Sequence, residues 1–199
     1  MHYGLIMECD YRYGTSQEEA FDEAFAMSDT AEKGGLDGVW LAERHFAAPR
    51  NPLDGLGAGI PSVVSAPLII SAAIVARTER LRVGVAVNVL PLNHPVRMAE
   101  EIAMLDCYSG GRIISGFVRG SSIETLQAGI DPTENRSRFE EAHHLILKSW
   151  TTPGPFRFEG QHFHRRRVNP WVPPLPKPHP DIRFPGPGSP ERGDWAAGA

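Results

Sequence analysis

LRVGVAVNVLPLNHPVRMAEEIAMLDCYSGGRIISGFVRG, residues 81–120, reads as strand, helix and strand in one unbroken sweep. Residues 81–90 are a run of valine and leucine, as in a strand buried on both faces of a parallel sheet. Asn93, His94 and Pro95 then open a helix, because proline fits the first turn, where its missing N–H costs nothing. Met98, Ile102 and Leu105 hold helical spacing until Ser109, Gly110 and Gly111 stop it, and residues 112–118 resume an apolar strand.

The pattern repeats upstream. Residues 3–7 form a short apolar strand. Ser16 with Glu19 three residues on makes a capping box, and Phe21, Ala24, Phe25, Ser28 and Ala31 follow on one helical face before Gly34 and Gly35. Residues 38–42 are a second strand. Residues 43–62 are a glycine-rich loop suited to the lip of a site, and residues 67–77 a nearly all-apolar helix. Downstream, residues 134–150 carry Phe139, Ala142, Ile146 and Trp150 at helical spacing. Four β-then-α units in a row imply a parallel sheet. A doubly wound sheet and part of a (β/α)8 barrel both satisfy this pattern.

Composition bounds the rest. The chain has 199 residues, 41% of them hydrophobic and 22% charged, as in an ordinary globular protein of about one domain. A net charge of −4 gives no whole-chain basic field for nucleic acid or an anionic membrane. The longest apolar-leaning stretch, residues 63–76, is too short for a transmembrane helix, and the N-terminus does not read as a secretory signal, so the expected compartment is the cytoplasm. Cys9 and Cys107 are too few for a disulfide scaffold and are expected as reduced interior thiols. Eleven of the 18 prolines follow residue 152, which divides an orderly body from a Pro-rich end. Within that end, residues 155–170 suggest a hairpin turning at Gly160, and residues 181–185 a last strand.

In parallel α/β folds, ligands sit at the C-terminal ends of the strands. Those ends hold Glu8, Cys9 and Asp10; Glu43, Arg44, His45 and Phe46; Asn88; and Arg119 with Gly120. His45 can pass a proton near neutral pH or act as a hydrogen-bonded structural histidine. Arg119 can grip a phosphate with its guanidinium, and Gly120 lets backbone approach closely. Ser189, in GPGSP, can cap a helix start where an anion would bind. His143, His144, His162 and His164 lack metal-ligand spacing and read as solvated or locally paired, and no metal is expected. No G-x-G-x-x-G follows the first strand.

GLDGVWLAERHF (35–46), the 81–112 segment and GFVRG (116–120) together resemble the bacterial luciferase-like, flavin-dependent monooxygenase family over nearly the whole chain. The resemblance implies a (β/α)8 TIM barrel. Reduced FMN, or the deazaflavin F420 in some relatives, would bind at the strand ends and react with O2 through a C4a-peroxide to oxygenate an aldehyde or another small organic substrate. By motif match, Ala86 contacts the isoalloxazine through backbone, Arg119 and Ser189 meet the phosphate, and His45 faces the reactive edge. A flavin reductase would supply reduced FMN, and a homo- or heterodimer is implied.

The chain departs from the family at Arg44, where the luciferase catalytic subunit has the first of two histidines. It also has Val118 in place of a reactive cysteine and Arg192 in place of a hydroxyl residue. A family barrel needs roughly 250 residues. The expectation is therefore one incomplete barrel domain: residues 1–152 as β/α units one to four, 153–180 as a Pro-rich hairpin insertion, and 181–199 as the fifth strand with the start of its helix. Such a piece is expected to be unstable alone or to pair with another chain. Two further readings are a non-catalytic flavin-binding or partner subunit and a deazaflavin-dependent oxidoreductase.

Overall fold

A computed structural model describes residues 2–10, 14–45, 62–175 and 178–184. β1 (Gly4–Met7), β2 (Gly38–Leu41), β3 (Arg82–Val89), β4 (Ile113–Val118) and β7 (Asp181–Arg183) form one sheet, all parallel, in the order β1-β2-β3-β4-β7. Helices α1 (Gln17–Lys33), α2 (Pro67–Arg77) and α3 (Pro95–Ser109) connect the first four strands. α4 (Ser122–Gln127), α5 (Asn135–Thr151) and an antiparallel hairpin of β5 (Phe156–Glu159) and β6 (His164–Val168) lie between β4 and β7. Among the described residues this is the architecture of part of a (β/α)8 barrel, four β/α units and a fifth strand.

Parallel register puts paired residues on one face of the sheet. Met7, Val39, Leu41, Val83, Val85, Ile113 and Phe117 all face the helices, and none is more than 1% exposed. Each such side chain contributes about 1.5–3 kcal/mol by leaving water. The opposite face is built for close approach. The Trp40 indole lies across Gly84 and against Gly4, where an added Cβ would come within 2.2 Å and 2.8 Å of the ring. Ile6 on this face is 69% exposed, and Arg82 pairs with Asp181 at 3.1 Å.

Local signals fix the helices. Ser16 Oγ accepts the Glu19 N–H at 3.1 Å while the Glu19 carboxylate accepts the Ser16 N–H at 2.7 Å. Gly110 ends α3 at φ +70°, a conformation that suits glycine. Arg112 ties the layers together. It donates to the carbonyls of Val75, Leu81 and Ser109 and to Thr78 Oγ1, joining the ends of α2 and α3 beneath β3. Glu141 of α5 accepts the N–H groups of Gln161, His162 and Phe163, which docks the hairpin.

Several expectations need correction. Cys107 is exposed and Cys9 only half-buried, so neither thiol is fully interior. His143 is not solvated: it is 4% exposed, with ring edges of Phe117 and Phe184 against it. The hairpin also reaches α3, where Arg165 donates to His94 Nε2. The short helix α4, absent from the sequence reading, follows β4 directly. Among the described residues, no helix is long and apolar enough to cross a membrane.

Candidate functional site

The polar residues that end β1 and β2 divide into two pairs with opposite directions. Arg44 donates through Nε and Nη2 to the two carboxylate oxygens of Glu8, both at 2.7 Å. This two-point geometry holds a planar guanidinium in one orientation. Its neighbours in sequence, Glu43 and His45, turn the other way, as residues two apart do in extended chain. Glu43, 4% exposed, sits 2.6 Å from His45 Nε2 and accepts the Val89 N–H at 3.1 Å with its other oxygen. The hydrogen bond to Glu43 raises the His45 pKa above its usual 6.5. Partial burial opposes the shift, and the charges of Glu43 and Glu124 reinforce it.

Glu43 and His45 open onto a cavity of about 670 Å³ between α2 and α3. Asn88 joins them at its polar end, and Leu68, Met98 and Leu105 make apolar wall. Asn88 is 1% exposed, and its Nδ2 donates to the Gly116 carbonyl at 3.1 Å. Its Oδ1 has no hydrogen-bond partner among the described residues.

The β3–β4 ladder shifts register between Val85 and Asn88, marking a bulge. Val85 and Asn88 are both buried, while Ala86 and Val87 between them are half-exposed. Gly116 permits this arrangement: an added Cβ there would lie 2.3 Å from the Val85 carbonyl oxygen and 3.4 Å from Ala86 Cα. Bulges of this kind re-aim backbone beside functional sites.

Beyond β4, Arg119 is half-buried, and its carbonyl accepts the Asn135 Nδ2–H at 3.3 Å. Its guanidinium has no acidic partner among the described residues. Gly120 follows at φ +77°, with Val89 Cγ1 only 2.5 Å from where a Cβ would stand. A half-buried cation without a carboxylate suits a phosphate. The bulge leaves Ala86 and Val87 half-exposed toward the same end of the sheet.

Ala86 and Arg119 thus lie on adjacent strands toward the same end of the sheet, whereas His45 is held by Glu43 on the helix side. Ser189 and Arg192 lie outside the described residues, as do Phe46 and the loop through residue 61. The Glu8–Arg44 pair and the role of Asn88 were not read from the sequence. The alternation of residues 43, 44 and 45 was the available signal for the first. No group of three or more His, Cys, Asp or Glu among the described residues could hold a metal ion.

A family model described as luciferase-like monooxygenase matches residues 1–197. Protein y4wF of Sinorhizobium fredii is 31% identical over 186 residues, covering 92% of this chain and 50% of that protein. The alkanal monooxygenase alpha chain of Photorhabdus laumondii is 29% identical, covering 78% of this chain and 40% of the relative. Among solved structures, the monooxygenase RslO1 of Streptomyces bottropensis superposes with a TM-score of 0.87 at 25% identity, covering 99% of this chain and 57% of that one. The chain therefore spans about half the length of the curated relatives it matches.

Proposed function

This chain belongs to the luciferase-like monooxygenase family, and from that premise we propose that it binds reduced FMN at the C-terminal ends of β3 and β4. There it takes part in the oxygenation of a small organic substrate, an aldehyde or similar, by O2. The observation that carries this reading is Arg119: a half-buried guanidinium with no acidic partner among the described residues, one strand away from the half-exposed bulge at Ala86. Reduced FMN, when bound, supplies the electrons that activate O2.

The chain's own residues bind and orient. Arg119 holds the phosphate, with Ser189 as its second partner, and the backbone at Ala86 supports the ring system. Trp40, lying flat over Gly84, keeps water from the inner face beneath it. Glu43 fixes the His45 ring through Nε2 on the helix side, so His45 would exchange a proton with the cavity between α2 and α3 and not with the face where the flavin sits. A flavin reductase supplies the reduced cofactor, and the working form is a homo- or heterodimer in the cytoplasm.

The test supplies the full chain with reduced FMN from a flavin reductase, air and a panel of aldehydes. The reading expects oxygenated product formed in proportion to substrate. Oxidation of the flavin at the buffer rate, with no product, would overturn it. Repeating the titration with deazaflavin F420 separates the two cofactors. The Glu8–Arg44 pair favours a second reading, a non-catalytic partner subunit, because it engages Arg44 fully at the position where the luciferase catalytic subunit has the first of two histidines. That reading requires co-purification with a full-length relative and loses its support without it.

A further inference from the structure

We propose that Asn88 and Gly116 are positioning residues for the cofactor: together they set the β3 bulge that turns the backbone of Ala86 and Val87 toward the bound flavin. The inference rests on the flavin reading above but concerns residues that touch the bulge from behind.

Three observations converge on it. The register shift leaves Val85 and Asn88 both buried, so two residues, Ala86 and Val87, occupy the span between them and stand half-exposed. A side chain at Gly116 would collide with the Val85 carbonyl, so the bulge requires glycine on the neighbouring strand. The Asn88 amide crosses to the Gly116 carbonyl at 3.1 Å and so spans the gap in the β3–β4 ladder. A buried amide left half-satisfied costs free energy. Asn88 keeps that cost, with Oδ1 unpartnered among the described residues, in exchange for one bond that an apolar residue could not make. Leucine or valine would serve packing better at a position 1% exposed, and the asparagine is explained by the strand geometry it enforces.

Asn88→Leu keeps the volume and removes the donor, while Gly116→Ala drives a Cβ into the Val85 carbonyl. Each is compared with the unaltered full chain by titration with oxidised FMN, followed by flavin fluorescence and visible circular dichroism, and by hydrogen exchange of residues 82–89 without flavin. Either variant is expected to weaken FMN binding at least tenfold, to lose the induced visible dichroism, and to exchange faster at 85–89 in the flavin-free state. Far-UV dichroism should be retained. If Asn88→Leu does not fold, Asn88→Ser, whose side chain is too short to reach Gly116, is read in the same way. FMN affinity and dichroism equal to those of the unaltered chain overturn the proposal and leave the flavin reading intact. An unaltered chain that binds no FMN overturns both.

Discussion

The two faces of the sheet are made from the same five strands, yet they obey different rules. The helix-covered face is dry where the strands meet the helices: Val39, Leu41, Val83 and Val85 are fully buried. The other face carries Gly4, Gly84, Trp40, an Arg82–Asp181 pair and an Ile6 that is 69% exposed. Stability resides in the first face, and the proposed flavin site lies on the second. The bulge at Ala86 is where the covered face sets the shape of the open one.

The sharpest way to break this comparison is to empty the covered face. Phe117→Ala removes a ring that is 1% exposed, and denaturant unfolding should record a loss of about 3–5 kcal/mol. A loss below about 1 kcal/mol would mean that the helices do not depend on that face.

Acid should act on the same face through His143. Burial, followed by the nearby charges of His179 and His144, pushes its pKa from 6.5 down to about 4. Between those values the unfolded chain binds a proton that the folded chain refuses, so stability falls as pH falls, by roughly 3 kcal/mol across the window. Unfolding free energies measured from pH 7 to 4 should flatten in His143→Leu, and an unchanged slope would place the acid sensitivity elsewhere.

At the strand ends the sign reverses. Glu43 raises the His45 pKa, so the stabilisation from this pair is complete below 6.5 and fades as pH rises through the raised folded value. His45→Gln should therefore lose a small alkaline decline in stability while keeping the acid one. The smallest effect belongs to the open face. Ile6→Ser should change unfolding free energy by no more than about 0.5 kcal/mol, and a larger loss would show that this face is covered in solution.

The sequence carried the alternation of strand and helix well because that signal is local. Residues 67–77 begin at a proline and end before Thr78, and the helix has those bounds. The capping box at Ser16 and Glu19 likewise marks the start of α1. A second capping box, Ser121 with Glu124, is equally local, but the six helical residues behind it give too few turns for periodicity to register.

Long-range geometry was not legible in this way. Residues 81–90 read as one uniform strand, and the bulge within it arises only where β3 meets Gly116 of β4. Spacing alone leaves His143 solvated or locally paired, because nothing local announces Phe184, which comes 41 positions later, as its ring partner. The strand-end rule gathered Glu8, Glu43, Arg44, His45, Asn88 and Arg119 into one region. It could not separate His45, held on the helix side, from Ala86 and Arg119, because that division follows from which way each side chain turns.

The flavin is proposed to lie on the open face at the ends of β3 and β4. Backbone hydrogen exchange of the full chain, with and without FMN, tests it most directly. FMN should slow exchange at residues 84–88 and 116–120 and leave residues 67–72 and 98–105 unchanged. Protection confined to those last two segments, on the walls of the cavity between α2 and α3, would contradict it.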